Sequence, residues 1–452
     1  MCKKLKQLIS VTTAVVLAGS MLSGCGGSQA GSEDTKVTEA AKEENGGEDD
    51  KVITFWHIGT DEPDLSIFED AVDSFNENTD SGYQIECVAL EPDAYKEKLM
   101  IAMSSGECPD VYTSWGGGPM NEYVNAGLAQ PLDELYEQAS WKDKILDATV
   151  EQGKYGGKLY GIGMLNIALS GIYYNKEIFD QYDLKVPATV YELEALCDTL
   201  VEKGKIPFAL ANAPKWTGSM YFMNLAARKG GLEPFNAAVD GSGSFEDECF
   251  IYAGQKIQEW VEKGYFPEGV NGLDEGDGQA KQLFYAEDAA MRLIGSWDSA
   301  TYKADSEEFY NKIGWFPFPA VDGSDTDSSI QIGTMGDQFI SFNCSGEKLK
   351  AAFGLMDYYF DEAYTQKMVE AGKIPPVNGA DQFISGKLEK EFLAKTSEAK
   401  AVQLWYDQYL PTAVSSVHLD TCQELFGLTM TPEEAAKQFQ ESMEEYNSEQ
   451  AE

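Results

Sequence analysis

Short apolar runs of strand length alternate with amphipathic segments of helical length where the globular part of the chain begins. Residues 52–56, 85–90 and 110–112 have the composition of buried strands. Between them, residues 65–75 and 95–103 carry apolar side chains at the spacing of a helix face. Strands that alternate with helices pair into a parallel or mixed sheet covered by helices. The order therefore predicts an α/β fold, in which ligands bind in the loops beyond the carboxyl ends of the strands.

Length and charge restrict the size and the partners of this fold. The chain has 452 residues, and roughly 400 of them follow a polar N-terminal stretch, enough for two domains with separate cores. The 76 acidic residues exceed the 34 basic ones, which gives a formal net charge of -42. A field of this sign repels polyanions, so nucleic acid is excluded as a partner. Solubility is the simplest explanation of the charge.

The first 50 residues predict export and a membrane anchor. Three lysines precede an apolar stretch at 8–22 that is too short for a mature transmembrane helix, which is typical of a signal peptide at residues 1–24. The tetrad Leu22-Ser23-Gly24-Cys25 resembles the lipobox of bacterial lipoproteins, and the resemblance implies that Cys25 carries a lipid. Ordinary secretion is the alternative. Residues 25–50 have almost no apolar side chain and are predicted to form a disordered tether.

Patterns that indicate catalysis or metal binding are missing from the sequence. His57 and His418 are the only histidines, and no G-x-S-x-G, H-E-x-x-H or phosphate-binding glycine loop occurs. The six cysteines beyond residue 25 form no C-x-x-C pair. Free buried thiols are their simplest interpretation, with one or two disulfides left open. The acidic segment at 322–327 lacks the glycine and glutamate of a calcium loop and predicts a solvated turn. No metal, cofactor or catalytic residue is expected.

Tryptophans beside glycine or polar residues are the strongest positive signal. They occur at Trp56-His57, Trp115–Gly118, Lys215–Gly218 and Gly295–Asp298. A pyranose ring packs its C–H face against an indole, and its hydroxyls need carboxylate, amide or lysine partners. The pattern favours a sugar site. Core positions are predicted for Trp141, Trp260 and Trp315. Trp405 is not expected to be part of the site.

Taken in order, these segments resemble a known family, the extracellular sugar-binding lipoproteins of bacterial ABC importers. The resemblance covers nearly the whole chain beyond the tether, and its main pieces are Ile-Thr-Phe-Trp-His at 53–57, Ala-Met-Ser-Ser-Gly at 102–106 with Pro-Asp-Val at 109–111, Ile-Tyr-Tyr-Asn-Lys at 172–176 and Gly-Ser-Trp at 295–297.

The resemblance implies a two-lobed hinged fold, each lobe a mixed sheet flanked by helices, that closes on its ligand. The N-terminal lobe is expected to comprise residues 51–166 and about 331–395, and the C-terminal lobe residues 167–330 and about 396–452. The chain is expected to cross between the lobes near residues 166–173 and 330–336.

The resemblance also implies a set of ligand-binding residues. His57 is placed as either a direct contact or a group that supports one, and Asp298 and Asp337 as either sugar ligands or groups that bind turn amides. The expected set comprises His57, Glu62, Trp115, Gly116, Gly117, Asn166, Asn212, Lys215, Trp216, Trp297, Asp298 and Asp337.

The function implied is that of a lipid-anchored receptor on the outer face of the cytoplasmic membrane, which captures an oligosaccharide and delivers it to a permease. It is expected to be a monomer without a cofactor. Two alternatives remain. A cationic ligand such as a polyamine would suit the acidic residues and tryptophans through cation–π contacts. A cell-surface glycosidase would need two carboxylates, and among 76 acidic residues some pair always lies close in space.

Overall fold

A computed structural model describes residues 51–450 apart from 325, 327 and 328. The predicted signal peptide, the predicted lipidation site Cys25 and the predicted tether lie outside the described residues, as does part of the acidic segment at 322–327. Within the described ranges, no helix combines the length and the apolar character that a membrane span needs. The six cysteines in these ranges are all free thiols.

Strands and helices alternate along most of the chain. The strands are β1 (Val52–His57), β2 (Gln84–Ala89), β3 (Val111–Ser114), β4 (Lys154–Tyr155), β5 (Lys158–Leu159), β6 (Ile162–Met164), β7 (Ala168–Asn175), β8 (Ile206–Phe208), β9 (Ala289–Gly295), β10 (Ile313–Phe316), β11 (Gln331–Thr334), β12 (Gln338–Phe342) and β13 (Val402–Gln403). The helices are α1 (Asp64–Asn78), α2 (Pro92–Ser105), α3 (Gly117–Asn125), α4 (Asp133–Gln138), α5 (Asp147–Gln152), α6 (Lys176–Gln181), α7 (Val190–Glu202), α8 (Trp216–Gly230), α9 (Glu233–Asp240), α10 (Glu248–Glu262), α11 (Gln279–Tyr285), α12 (Asp298–Asp305), α13 (Glu307–Lys312), α14 (Gly346–Phe353), α15 (Met356–Tyr359), α16 (Glu362–Glu370), α17 (Lys387–Glu398), α18 (Tyr406–Tyr409), α19 (Thr412–Gly427) and α20 (Pro432–Gln450).

The first sheet confirms the predicted mixed pairing. Its strand order is β2-β1-β3-β12-β6. Strands β2, β1 and β3 are parallel, because helices α1 and α2 carry the chain back between them, and β12 joins antiparallel to both β3 and β6. The carboxyl ends of β1 and β3 therefore lie side by side, with the loops after His57 and Ser114 at one edge.

The second sheet is built around β7. Its order is β13-β11-β7-β9-β8, and β10 pairs with the second half of β7 on the same side as β11. Strand β9 runs antiparallel to β7 and parallel to β8. Gly295 at the end of β9 is paired with Ser170 near the start of β7, which places the loop after β9 close to the entry into this sheet.

Two large hydrophobic cores correspond to the two sheets, so the fold is two-lobed. One core gathers side chains of β1, β3, β6 and β12 with α1, α14 and α15, among them Phe55, Phe68 and Phe342. The other gathers β7–β11 with α7, α8, α10, α19 and α20, among them Phe208 and Trp260. Trp141, Trp260 and Trp315 are buried in these cores, as predicted.

Three segments connect the lobes and are hydrogen-bonded to one another. They lie between β6 and β7, between β11 and β12, and after α16. Ile167 N donates to Ile374 O (2.7 Å), and Ile374 N donates to Asn166 Oδ1 (2.6 Å). Asp337 N donates to Met164 O (3.2 Å). All three connections thus pass through one narrow region.

The segment that returns to the N-terminal lobe is shorter than expected. Residues 331–395 were assigned to that lobe, but β11 pairs with β7 and β13 of the second sheet. Leu388 and Phe392 of α17 belong to the second core, because they pack on β10 and its neighbours. The part from β12 to α16, together with Val377 and Ala380, packs with the first core.

Candidate functional site

A cavity of about 430 Å³ lies between the two lobes. The first lobe lines it with the loop after β1, the start of α2 and the residue after β3. The second lobe lines it with the start of α8, the ends of β9 and β13 and the residues that follow them. It will be called the cleft cavity. The loops beyond strand ends, where α/β folds place ligands, thus meet here.

Three tryptophans of the second lobe form one aromatic surface of the cleft cavity. The ring centroids of Trp216 and Trp297 are 6.3 Å apart and those of Trp297 and Trp405 are 5.8 Å apart, with interplanar angles of 55° and 68°. The indole of Trp297 folds back over the end of β9, where a Cβ on Gly295 would collide with the ring. The glycine of Gly295-Ser296-Trp297 therefore sets the position of this indole.

The start of α8 fixes Trp216. Asn212 is fully buried, and its Oδ1 accepts a hydrogen bond from Gly218 N (2.9 Å). Its Nδ2 donates to Asn271 Oδ1 (2.8 Å), and Lys215 has a positive φ of 70°. Lys215 Nζ forms an ion pair with Asp420. Asn212 and Lys215 thus hold the loop and the helix start, and neither lines the cleft cavity.

Trp115 lines the cavity from the first lobe. Lys96 Nζ lies 4.9 Å from the centroid of its ring, and Tyr95 meets it edge-on at 6.1 Å. The glycines that follow face elsewhere. Gly116, with a φ of 74°, packs on Phe339, and Gly117 is pressed against the backbone of Gln408, so that no Cβ would fit. The predicted Trp-Gly-Gly wall therefore contributes its indole to the cavity and its glycines to the contact with α18.

A buried arginine forms ion pairs with two carboxylates of the lining. Arg292 on β9 forms ion pairs with Glu275 and Asp298, and its Nη1 donates to Tyr302 Oη (2.8 Å). Burial raises the pKa of Glu275 to about 7, against the opposing effect of Arg292. Although burial alone would lower the pKa of Arg292, Asp298 and Glu275 hold it well above its ordinary value. The arginine fixes both carboxylates at the cavity wall.

A second charged group lies where the chain crosses between the lobes. Lys373 is buried, and its Nζ is 2.5 Å from Asp64 Oδ1. Burial raises the pKa of Asp337 to about 7, with Lys373 opposing and Asp64 adding to the rise. Asp337 and Lys373 both line the cavity, so ligand hydroxyls there would meet a carboxyl group that titrates near neutrality.

His57 and Asn166 support the site from behind. His57 is fully buried, stacks on Phe68 (4.4 Å between ring centroids) and accepts a hydrogen bond at Nδ1 from Gly59 N (3.2 Å). Burial lowers its pKa to about 4, so it is neutral. Asn166 is buried and binds the backbone of Ile374. Neither lines the cleft cavity. Both side chains bind backbone amides instead, and ligand contact by either residue stays a prediction.

The predicted residues thus divide evenly. Those that line the cleft cavity are Glu62, Trp115, Trp216, Trp297, Asp298 and Asp337. Those that do not are His57, Gly116, Gly117, Asn166, Asn212 and Lys215. Glu62 is exposed and accepts a hydrogen bond from Ser66 Oγ (2.7 Å). Ligand contact by the six lining residues stays a prediction.

A family model, bacterial extracellular solute-binding protein, matches residues 59–366, which is 308 of the 452 residues. The chain belongs to this family. The matched range begins in the loop after β1 and ends in α16, so it includes most of the cavity lining and all the strands except β1 and β13.

Several known proteins are similar to this chain over half of their length or more. A solved structure described under xylan utilisation by the thermophilic bacterium Caldanaerobius polysaccharolyticus is 31% identical, covers 86% of this chain and 99% of its own, and has a TM-score of 0.79. The multiple sugar-binding protein of Streptococcus mutans is 26% identical over 69% of this chain and 72% of its own. An uncharacterised ABC transporter extracellular-binding protein of Pyrococcus horikoshii is 26% identical, and the chain spans about half of its length.

Several residues that line the cleft cavity of this solute-binding protein were not among the predicted site residues. Glu91 and Asp93 follow β2, and the rule that selected the loops after β1 and β3 would have found them. Glu275 and Lys373 lie far from any recognisable strand end. Trp405 follows β13, which is only two residues long and has no strand signal in the sequence. Burial raises the pKa of Asp93 to about 6.

The lining is strongly acidic. Nine carboxylates face three lysines, and they are Asp61, Glu62, Asp64, Glu91, Asp93, Glu275, Asp298, Asp337 and Asp407 against Lys96, Lys281 and Lys373. Despite this density, no group of three or more His, Cys, Asp or Glu side chains in the described part of the chain is placed to hold a metal ion.

Proposed function

We propose that this solute-binding protein is the extracellular receptor of an ABC importer and binds an oligosaccharide in the cleft cavity. One observation carries the proposal: Trp216, Trp297 and Trp405 of one lobe line the same cavity as Trp115 of the other, among carboxylates and lysines. Indole faces suit the C–H faces of pyranose rings, and the charged groups suit the hydroxyl rim. The relatives named for sugar binding and described under xylan utilisation support this ligand class.

Unsatisfied acceptors in the cavity favour a ligand rich in hydroxyl groups. Gln338 Oε1 and Gln408 Oε1 are buried and have no hydrogen-bond partner among the described residues. A buried acceptor without a donor costs free energy, and a ligand hydroxyl would satisfy it. The volume of about 430 Å³ lies in the usual range of small-molecule sites, which is about 300–1,000 Å³.

Closure of the lobes would enclose the sugar. The three connecting segments meet in one hydrogen-bonded region, so a rotation could be absorbed by a few backbone dihedrals there. The closed receptor would then deliver its sugar to a permease energised by a separate ATPase. It acts as a monomer without catalysing a reaction, and lipid on Cys25 holds it to the outer face of the cytoplasmic membrane.

A cationic ligand such as a polyamine is the second candidate, because nine carboxylates outnumber three lysines in the lining. Part of this excess is offset within the protein. Arg292 adds one positive charge between Glu275 and Asp298, and Lys373, one of the three lysines, pairs with Asp64. Glu91 caps α2 by accepting hydrogen bonds from backbone amides. We therefore place the uncharged sugar first.

Titration calorimetry of the purified protein against plant-derived and α-linked oligosaccharides, with polyamines included, tests the proposal. Micromolar binding of one sugar series without turnover is expected. Heat from a polyamine alone would favour the cationic ligand. Cleaved product, detected by chromatography of the sugar after incubation, would establish a glycosidase and contradict the proposal.

A further inference from the structure

A second cavity, of about 570 Å³, lies on the other side of α18 from the cleft cavity. It is bounded by α3, by the segment from α5 to β4, and by the C-terminal helix α20. The two cavities share only Trp115 and Gln408 among their lining residues. Both lobes line it, since Phe339 lies on β12 of the first sheet and Met443 of α20 packs in the second core.

A tight backbone contact forms the wall between the two cavities. Gly117 and Gly118 at the start of α3 press against the carbonyl oxygens of Gln408 and Leu410, and neither position has room for a Cβ. Two glycines in succession thus allow the helix start to pack directly on the α18 backbone. The second cavity is therefore a separate compartment beside the cleft cavity.

The second cavity contains a buried acceptor that needs a donor. Asn121 Oδ1 on α3 is buried and has no hydrogen-bond partner in the part of the chain that the structure describes. Gln408 Oε1, at the shared wall, is in the same state. Buried polar groups without partners are uncommon, and a bound hydroxyl group is one way to satisfy them.

Aromatic residues supply apolar faces around this acceptor. Tyr155, Tyr409 and Tyr446 line the second cavity, and Asn125 Nδ2 donates to Tyr155 Oη (3.3 Å). Burial raises the pKa of Tyr446, and Glu122 and Tyr155 raise it further. Tyrosine rings beside amide groups suit the mixed apolar and hydroxyl surface of a sugar.

The charges of the second cavity are already satisfied within the protein. Glu122 accepts hydrogen bonds from Thr412 N and Thr412 Oγ1, both 2.7 Å, at the start of α19. Helix N-termini attract negative charge, so this carboxylate has its partner. Glu151 pairs with Lys154 at 2.6 Å. In contrast to the cleft cavity, no excess of carboxylates is left to favour a cation.

We propose that the second cavity is a binding site for a small, neutral, polyhydroxylated molecule, of the class of simple sugars and polyols. Asn121 Oδ1 accepts a hydrogen bond from a hydroxyl of the ligand, and the tyrosine rings contact the C–H faces of the ligand. The proposal does not rest on the function of the cleft cavity, because none of its evidence except the shared Trp115 and Gln408 comes from there.

Methionine methyl groups report on the two cavities separately. Met443 lines the second cavity, and Met220 and Met223 line the cleft cavity. The experiment uses full-length purified protein that is labelled with ¹³C-methyl methionine and carries the Trp297→Ala change, which weakens ligand binding in the cleft cavity. D-glucose, D-xylose and glycerol are titrated separately and followed by NMR. The expected result is a saturable shift of the Met443 signal with at least one probe, with the Met220 and Met223 signals unchanged.

Variants of the lining decide whether the shift reports the proposed site. Asn121→Leu should weaken the binding seen at Met443 by about tenfold or more, because it removes the acceptor. Tyr446→Ala, on a different helix, should weaken it as well. Asn78→Leu, an exposed position at the end of α1, is the matched control and should leave the midpoint unchanged.

Two results would overturn the proposal: no shift of Met443 with any of the three probes, or a shift that both lining variants leave intact. A failure of the proposed oligosaccharide function looks different. It would be seen with unsubstituted Trp297, as the lack of any Met220 or Met223 shift across the oligosaccharide panel, whatever Met443 does.

Discussion

Replacing Trp297 with alanine tests whether the aromatic surface of the cleft cavity binds the ligand. Trp297 is the middle member of the three tryptophans, with ring centroids 6.3 Å from Trp216 and 5.8 Å from Trp405. Its removal therefore deletes one stacking face and also frees its two neighbours to move.

The size of the effect follows from the position of the ring. Truncation of a central aromatic anchor in a binding site typically costs about 2–4 kcal/mol, which corresponds to an affinity loss of roughly 30- to 1,000-fold. The indole of Trp297 is only half-buried, so we expect the free energy of unfolding to fall by about 1–3 kcal/mol, within the usual range of single substitutions. Trp297→Phe should keep part of the affinity, because a ring remains.

Calorimetry against the sugar that the unsubstituted protein binds measures the affinity, and urea denaturation measures the stability. Tyr191→Ala is the control for loss of an aromatic side chain, because Tyr191 lies on α7 and is 71% exposed. An affinity of Trp297→Ala within about threefold of the unsubstituted protein, with folding intact, would show that the tryptophan surface does not bind the ligand.

Three further changes test the surroundings of the two cavities. Gly295→Ala should displace the indole of Trp297 and weaken sugar binding by about 5- to 150-fold in calorimetry, as expected for overpacking. The control Gly272→Ala has open space around the new methyl group and should leave the affinity unchanged. Burial raises the pKa of Asp337 to about 7, so the folded protein holds the proton of this carboxyl more tightly than the unfolded chain does. The stability that this proton contributes is complete below about pH 4 and is lost as the pH rises through 7. Urea denaturation at pH 5 and pH 8 should show this loss in the unsubstituted protein and not in Asp337→Asn. Glu122→Ala should lower the free energy of unfolding by about 1 kcal/mol, like loss of a helix cap, and the exposed Glu151→Ala by less than about 0.5 kcal/mol.

The sequence predicted the fold because its signals are local. Periodic apolar residues indicate each strand and helix separately, and their alternation implies a mixed sheet. The lobe boundaries are not local. Strand β11 joins the second sheet through hydrogen bonds to β7 and β13, far away in sequence, and α17 packs on β10. These pairings depend on the whole chain, so the predicted range 331–395 was too wide.

The tryptophans were easier to place than the charged residues. Trp115, Trp216 and Trp297 each stand beside a glycine or a helix start at the end of a strand, where a large side chain has room to face a cavity. Charged residues have no such signal, because 76 acidic residues occupy every kind of position. Arg292 is an example, because it lies within the buried strand β9 and its role depends on Glu275 and Asp298, which only the folded chain brings beside it.

Buried polar residues at the strand ends serve the backbone before they can serve a ligand. The loops after β8 and β6 contain Asn212 and Asn166. Each side chain accepts a hydrogen bond from a backbone N–H, of Gly218 and Ile374 respectively. An unpaired buried N–H is costly, so a polar side chain within reach is drawn to it. His57 does the same for the N–H of Gly59. In the loop from Asn212 to Trp216, the polar side chain therefore shapes the loop and the tryptophan lines the cavity.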